Sequence, residues 1–371
     1  MRFIFVPLML ATMAAAPSRA ADAPAAPDPV LAEASNLAGL VMFMESGAPG
    51  MVLAIVRGDN SLVLGYGETK KGDKRTPDGD SLLRLNSITK VFTTEVLVSL
   101  VAEGKLQLTD PLQRYARDAT VPAFDARPIT LLDLATHSAA LPREMGEAPP
   151  DAAPRAWPTR EDRWKWLPGY KLPWAPGAIA AYSNVGFDLL ADAIEAAGGQ
   201  PYPDLLRTRV TPHWAWRTPL RADARAMRQA DDRDRPRRRP CVDTHATDSG
   251  GLYSTGNDMA RWLRHNIKDA DGALALSHAV YRQRQALRAA IGFDEAGPMA
   301  GLGLGWVIVA AEGIRPMLVA KSGGGVGFMS YIAFAPGRDV GLFVAVSRVD
   351  FAMFSRLTEA ANALIATLVT R

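Results

Sequence analysis

The chain has 371 residues, of which 48% are hydrophobic and 22% are charged, and its formal net charge is only +3. This composition is ordinary for a globular protein and provides a core for one large domain or two interlocked lobes. The single cysteine, Cys241, excludes an intramolecular disulfide.

The first 20 residues are typical of a secretory signal peptide. Arg2 precedes an apolar stretch over Phe3–Ala16, and small residues at 18 and 20 favour cleavage before Ala21. The stretch is too short for a stable membrane anchor, although an uncleaved anchor remains the alternative. We expect a signal peptide over residues 1–20 and one exported domain over 21–371. Export without disulfides indicates a bacterial periplasm.

The first elements predicted after this leader are a helix and a β-hairpin. Val30–Ser46 has helical apolar spacing, and the strands Met51–Arg57 and Ser61–Tyr66 flank a turn at residues 58–60. A second helix is predicted over Ser87–Glu103. It is apolar nearly all round, so we expect it to be buried.

The middle of the chain, from about residue 105 to 247, is rich in proline and tryptophan and predicts a helical lobe, with helices at Ile129–Thr136 and Phe187–Ala197. Strands are then predicted at Gly301–Val309, Met317–Lys321, Phe328–Ala335 and Val340–Ser347, before a last helix at Leu357–Thr370. The sheet lobe thus comprises about 30–86 and 300–371. The expected fold class is α/β (α+β), with one antiparallel sheet built from both chain ends, flanking helices and a helical lobe.

An S-x-x-K motif lies at the start of the second predicted helix. Ser87 and Lys90 share one helix face, because residues three apart are neighbours there. The helix dipole favours negative charge developing at Ser87. Lys90 can remove the serine proton if burial and nearby cations lower its pKa. Alone, the motif also suits an N-cap serine beside an exposed lysine.

A second motif is Tyr182-Ser183-Asn184. The phenol of Tyr182 becomes a proton-transfer group if two ammonium groups stabilise its phenolate. Asn184 has the amide donor and acceptor needed to orient Lys90 or to bind a substrate amide. Alone, the segment also suits an ordinary turn in which asparagine caps the following helix.

A third motif, Lys321-Ser322-Gly323, ends a predicted strand and is followed by Gly324. A substrate can pair with such a strand edge through backbone hydrogen bonds, and glycine permits close approach. Lys321 offers a charge for a carboxylate. The N–H groups of Ser87 and Gly324 would form an oxyanion hole. Alone, the segment also suits a glycine-rich hairpin.

The three motifs occur once each. With 16 Ser and 9 Lys in 371 residues, about 0.4 S-x-x-K matches are expected by chance, and all three motifs in this order on the order of one time in a thousand. The combination indicates a serine acyl-transfer enzyme. We assign His137 a structural role. His213, His245, His265 and His278 lack metal-ligand spacing, so we expect no metal and no cofactor.

Arginines cluster between Arg233 and Arg239 in a stretch that also contains proline and aspartate. The cluster favours either a solvated surface loop or an electrostatic contact with anionic phospholipid or cell-wall polymer, which would bring the protein to the inner membrane as a peripheral partner. No nucleic-acid-binding motif accompanies it, so we expect no nucleic-acid partner.

These motifs resemble those of the penicillin-recognising serine enzymes. Because the second motif is Tyr-Ser-Asn, the chain is similar to the class C β-lactamase branch, which residues 108–112 and 129–137 also match. Residues 141–144, 157–165 and 181–192 look like those of its D-alanyl-D-alanine carboxypeptidases/endopeptidases. Two positions depart: Ser322 replaces the commoner threonine, and Ala140 stands where glycine is frequent.

The resemblance implies a β-lactamase/transpeptidase-like fold with the active site between sheet and helical lobe. It implies that Ser87 is the acylated nucleophile and that Lys90 and Tyr182 share the proton transfers. The residues it assigns to substrate binding are Asn184, Lys321, Ser322, Gly323 and Gly324.

The activity that the resemblance implies is hydrolysis of peptidoglycan peptides between two D-alanine residues, with β-lactams as further ligands. Three alternatives stay open: a class C-type β-lactamase, an esterase of the same fold, and a non-catalytic muropeptide-binding module. The rate at which water attacks the acyl-enzyme separates the first alternative from the carboxypeptidase, and no residue in the sequence reveals it. Endopeptidase activity and oligomeric state are equally open.

Overall fold

The computed structural model describes residues 28–147, 158–210, 251–269, 272–325 and 327–371. The predicted signal peptide, the arginine cluster at 233–239, and Cys241, His213 and His245 lie outside these residues. The helices of the described structure are α1 Pro29–Ser46, α2 Thr89–Ala102, α3 Leu131–Ala135, α4 Arg160–Trp166, α5 Asn184–Gly198, α6 Tyr202–Arg209, α7 Gly256–Lys268, α8 Ala275–His278 and α9 Phe351–Thr370.

The strands are β1 Gly50–Arg57, β2 Asn60–Gly67, β3 Leu82–Arg84, β4 Ala123–Phe124, β5 Arg127–Pro128, β6 Ala180–Ala181, β7 Tyr253–Thr255, β8 Arg282–Gln283, β9 Ala290–Ile291, β10 Met299–Leu302, β11 Val307–Val309, β12 Leu318–Gly325, β13 Phe328–Ala335 and β14 Val340–Val346. The eight-stranded antiparallel sheet has the order β2-β1-β14-β13-β12-β11-β10-β8. Met51 of β1 lies opposite Val346 of β14. The sheet therefore joins both ends of the chain, as predicted.

The sheet is covered on both faces, which explains why its central strands are continuously apolar. Side chains alternate along a strand, so neighbouring residues of β1 enter different cores. Leu53 packs in the cluster formed with α1 and α9. Val52 and Ala54 pack in the cluster that holds Trp262 of α7. Helix α7 was not predicted from the sequence.

The described part of the helical lobe is built around α2. This helix contacts α5 and α6, and α5 also contacts α3. Nearly all of its side chains are buried, as its unbroken apolar pattern predicted. In the described ranges, none of the helices combines the length and the apolarity needed to cross a membrane.

Several predicted boundaries were wrong. The strand predicted over Gly301–Val309 is two antiparallel strands, β10 and β11, which reverse at residues 303–306. Helix α3 is shorter than predicted, because Thr130 caps it and its backbone leaves the helical region at Thr136. Two helices begin earlier than predicted, because polar caps precede them: Ser183 caps α5 and Asp350 caps α9.

Candidate active site

Ser87 lies in a single 3-10 turn, Asn86–Ile88, that joins β3 to α2. The Asn86 side chain donates to the carbonyl of Phe328 at 2.9 Å, which fastens the turn to β13. Strand β12 also lies close to the turn that carries Ser87. A Cβ atom on Gly323 would lie 2.3 Å from the carbonyl oxygen of Leu85 and 3.2 Å from the amide nitrogen of Ser87. Glycine in the third motif therefore lets the strand approach the serine.

Lys90 lies one turn after Ser87 and is completely buried. Its Nζ is 3.4 Å from Ser87 Oγ and donates to Asn184 Oδ1 at 2.7 Å. Burial lowers the pKa of Lys90, and the positive charge of Lys321 lowers it further. Both effects favour the free amine, which is the form that accepts a proton from a serine.

Tyr182 follows the short strand β6, and its ring lies between the amino groups of two lysines. Lys90 Nζ is 5.1 Å and Lys321 Nζ is 5.0 Å from the ring centroid. Burial raises the pKa of Tyr182, but Lys321 and Lys90 outweigh burial and leave this pKa below its ordinary value. The buried hydroxyl forms no hydrogen bond of ordinary geometry with the described residues. Ser87 nevertheless adds to the stabilisation of its phenolate.

Asn184 opens helix α5, and its amide bridges two charged groups. The carbonyl oxygen accepts from Lys90, and the NH₂ group donates to the exposed carboxylate of Glu144. Asn184 is thereby oriented with its acceptor toward the buried amine. Glu144 lies in the segment 141–144 that carries the family resemblance, but its contact with Asn184 could not be predicted from that segment alone.

The third motif lies within β12, which continues through it to Gly325 instead of ending there as predicted. Strand β11 pairs with β12 only as far as Ala320, so in the described structure the edge from Lys321 onward has no strand beside it. The Ser322 N–H points outward from this unpaired edge of β12. N–H groups two residues apart on a strand point the same way, so the Gly324 N–H is directed to the same edge.

Glu295, in the segment between β9 and β10, occupies part of this edge. Its Oε1 accepts hydrogen bonds from Lys321 Nζ at 3.1 Å, from the Ser322 amide at 2.8 Å and from Ser322 Oγ at 2.9 Å. Burial raises the pKa of Glu295, but Lys321 and Ser322 outweigh burial and lower it overall. Glu295 in turn raises the pKa of Lys321 against the effect of burial. The sequence analysis missed this residue.

His137 supports Tyr182. Its ring stacks on the tyrosine with centroids 4.2 Å apart, and its Nδ1 accepts from the Ser183 amide at 3.0 Å. Burial, with Lys321 and Lys90 nearby, holds the pKa of His137 well below its usual value, so the ring is neutral. Ala140 has a φ of +60°, the left-handed conformation that favours the glycine frequent at this position.

The described structure therefore brings residues of all three predicted motifs together at one place. A hydroxyl, an amine with a lowered pKa and a phenol with a lowered pKa meet beside an unpaired strand edge. This is the arrangement needed to activate a serine and to hold an extended acyl substrate. Among the described residues, no group of three or more His, Cys, Asp or Glu side chains is placed to hold a metal ion.

The β-lactamase family profile matches residues 28–367, so the chain belongs to the β-lactamase family. It is 40% identical over 341 residues to the D-alanyl-D-alanine-carboxypeptidase/endopeptidase AmpH of Escherichia coli K12, spanning 88% of this chain and 86% of that protein. It is 24% identical over 333 residues to a β-lactamase of the same organism, spanning 81% of this chain and 84% of that one.

A crystal structure of a β-lactamase/D-alanine carboxypeptidase from Yersinia pestis, complexed with citrate, superposes with a TM-score of 0.84. The two sequences are 37% identical, and the match covers 92% of this chain and 99% of that one. The predicted fold class and family are thus confirmed.

Proposed function

We propose that this protein is a serine D-alanyl-D-alanine carboxypeptidase/endopeptidase that acts on peptidoglycan peptides through an acyl-enzyme and also binds β-lactams. The observation that carries the proposal is the convergence of Ser87, Lys90, Tyr182 and Lys321 in one pocket. The identity with AmpH over most of both chains supports the choice of substrate.

In the acylation step, Ser87 Oγ attacks the carbonyl between the two D-alanine residues. Its proton passes to the Lys90 amine or the Tyr182 phenolate, whose lowered pKa values suit them to accept it. The negative charge on the tetrahedral oxygen falls between the N–H groups of Ser87 and Gly324. The C–N bond then breaks, and the leaving amine takes the proton from Tyr182 or Lys90.

In the deacylation step, a water molecule attacks the ester carbonyl of the acyl-enzyme. Tyr182 or Lys90 accepts a proton from the water, the ester bond between the acyl carbon and Ser87 Oγ breaks, and the same group returns a proton to Ser87 Oγ as the acid product leaves. A β-lactam enters by the same attack on its strained amide, but its leaving nitrogen stays tethered to the acyl group. The penicilloyl ester then blocks the site for as long as water reaches it slowly.

The remaining predicted residues bind the substrate. Asn184 contacts the acyl-side amide, and the strand from Gly323 to Gly324 pairs with the substrate backbone. Lys321 and Ser322 present an ammonium, an N–H and a hydroxyl to the terminal carboxylate of the substrate.

We place this activity in the bacterial periplasm, where peptidoglycan lies. The proposed catalytic domain is 21–371, released by cleavage of the signal peptide over residues 1–20. The arginine cluster at 233–239 would supply a peripheral contact with the anionic surface of the inner membrane.

The test is incubation of the purified enzyme with a muropeptide ending in D-Ala-D-Ala and, separately, with a penicillin, each followed by mass spectrometry. D-alanine release together with a lasting penicilloyl adduct on Ser87 supports the proposal. Ser87→Ala, which removes only the hydroxyl, must abolish both.

A β-lactamase is the second candidate, favoured by the relationship to the E. coli β-lactamase. Fast penicillin hydrolysis without attack on the muropeptide would establish it instead. Turnover of small acyl esters alone would indicate an esterase. Tight muropeptide binding with no product of any kind would indicate a binding module.

A further inference from the structure

The donors that the proposed function assigns to the substrate carboxylate already hold a carboxylate of the same chain. One oxygen of Glu295 accepts from the Lys321 ammonium, the Ser322 amide and the Ser322 hydroxyl, at 2.8–3.1 Å. The side chains of Glu295 and Lys321 are each only 1% exposed. An incoming carboxylate therefore cannot reach these three donors while Glu295 remains in place.

The segment that carries Glu295 is short and lies at the surface between β9 and β10. Gly292 and Gly297, at its two ends, have φ of +79° and +100°, the region that favours glycine. Asp294 beside Glu295 is exposed. Phe293 rests edge-on against Tyr182 with ring centroids 5.9 Å apart. The Phe293 ring and the Glu295 carboxylate hold the segment to the site, and Asn362 of α9 also fastens it by donating to the Ala296 carbonyl at 3.1 Å.

For an electrostatic reason, the Glu295 carboxylate and a substrate carboxylate compete for the same donors. Lys321 already interacts with the carboxylates of Glu295 and Asp294, and a further carboxylate beside Glu295 would add repulsion between like charges in a buried place. A substrate carboxylate must therefore displace Glu295. Displacement returns the glutamate to water, where its charge is solvated again, and so the exchange replaces one set of charge-assisted hydrogen bonds by another.

We propose that Glu295 is a specificity-determining residue that occupies the carboxylate site of the free enzyme and competes with the terminal carboxylate of the substrate. Its competition weakens binding of substrates that end in a free carboxylate and leaves binding of substrates that lack one unchanged. This inference rests on the proposed function, because that function identifies the carboxylate site.

The experiment compares two N-acylated peptides that differ only at the end, one terminating in D-Ala-D-Ala and the other in its C-terminal amide. Released D-alanine or D-alaninamide is quantified by chromatography. Glu295→Gln keeps the shape and removes the charge, and Glu295→Ala removes the occupant. Glu33→Gln is the control, since it removes the charge of an exposed glutamate on α1, which packs on β1 and β2.

Both Glu295 variants should lower KM for the carboxylate peptide about tenfold, the scale of one charge-assisted hydrogen bond. KM for the amide peptide should stay within about twofold of the wild-type value. Glu33→Gln should change neither. A carboxylate-to-amide KM ratio that stays at the wild-type value would overturn the inference. An equal rise in both KM values would also overturn it, because Glu295 would then only position Lys321.

Thermal unfolding of each variant identifies any that fail to fold. Glu295→Gln is the variant most certain to fold, because it keeps the shape of the side chain. If the wild-type enzyme releases neither D-alanine nor D-alaninamide, the proposed function fails by itself. The inference is then tested through acylation of Ser87, by comparing benzylpenicillin, which has a carboxylate, with its methyl ester. The same gain for the acid alone supports the inference, and equal rates in wild type and Glu295→Gln reject it.

Discussion

Tyr182→Phe removes one oxygen atom and leaves the ring. The ring keeps its stacking on His137, and the missing hydroxyl has no hydrogen bond of ordinary geometry with the described residues. The free energy of unfolding should therefore change by less than about 1 kcal/mol, since Lys90 keeps its hydrogen bond to Asn184 without this hydroxyl. The proton-transfer group, in contrast, is lost completely. Such groups contribute about 10²–10⁴-fold to rate, so kcat/KM should fall by about that factor.

The matched control is Tyr202→Phe. The Tyr202 hydroxyl is buried in α6 and shares a hydrogen bond of 2.6 Å with Thr93 Oγ1, in the helical lobe. Its removal should lower the free energy of unfolding by about 1–3 kcal/mol and leave kcat/KM of the folded enzyme unchanged. Steady-state release of D-alanine and chemical denaturation of both variants measure the two effects. The reasoning is refuted if Tyr182→Phe retains kcat/KM within a factor of ten, or if its loss of activity tracks a loss of stability.

Two further predictions follow from the pocket. Lys321→Met removes a positive charge that lowers the pKa of both Tyr182 and Lys90, so each group would hold its proton to higher pH. The acidic limb of the pH–rate profile for penicillin acylation should therefore move to higher pH. A shift to lower pH, or no shift, would contradict this assignment. Gly323→Ala would place a Cβ atom 2.3 Å from the backbone oxygen of Leu85. The substitution should therefore lower the free energy of unfolding by about 1–3 kcal/mol and remove most of the activity, as measured by thermal unfolding and penicillin labelling. A fully active and fully stable variant would show that β12 does not need to lie this close to the Ser87 turn.

The fold was predictable from the sequence where a single local pattern determines an element. The alternating and continuous apolar runs of β1, β13 and β14 gave strand bounds within one or two residues of those observed. The boundary between β10 and β11 was not predictable in this way. In the sequence, residues 301–309 resemble one continuous strand. Only the antiparallel pairing of β10 with β11 shows that the chain reverses at residues 303–306.

The candidate site was predictable to the extent that its chemistry resides in motifs. Ser87 and Lys90 are three residues apart, and Tyr182 and Asn184 are two apart, so short patterns recorded their relation. Glu295 has no such neighbour. It meets Lys321 and Ser322 across 26 and 27 positions of sequence, through a segment without regular structure. One acidic residue in a loop is indistinguishable from any other until the fold brings it to its partners.

The pairing of β1 with β14 sets the order in which the molecule can be completed. Strand β1 lies near the beginning of the described chain, and its partner β14 is the last of the described strands. Contacts between such distant segments require closure of a very long loop, which slows folding. A chain that stops before Val340 leaves the hydrogen-bonding edges of β1 and β13 open to other chains, and aggregation rather than a smaller enzyme is the consequence.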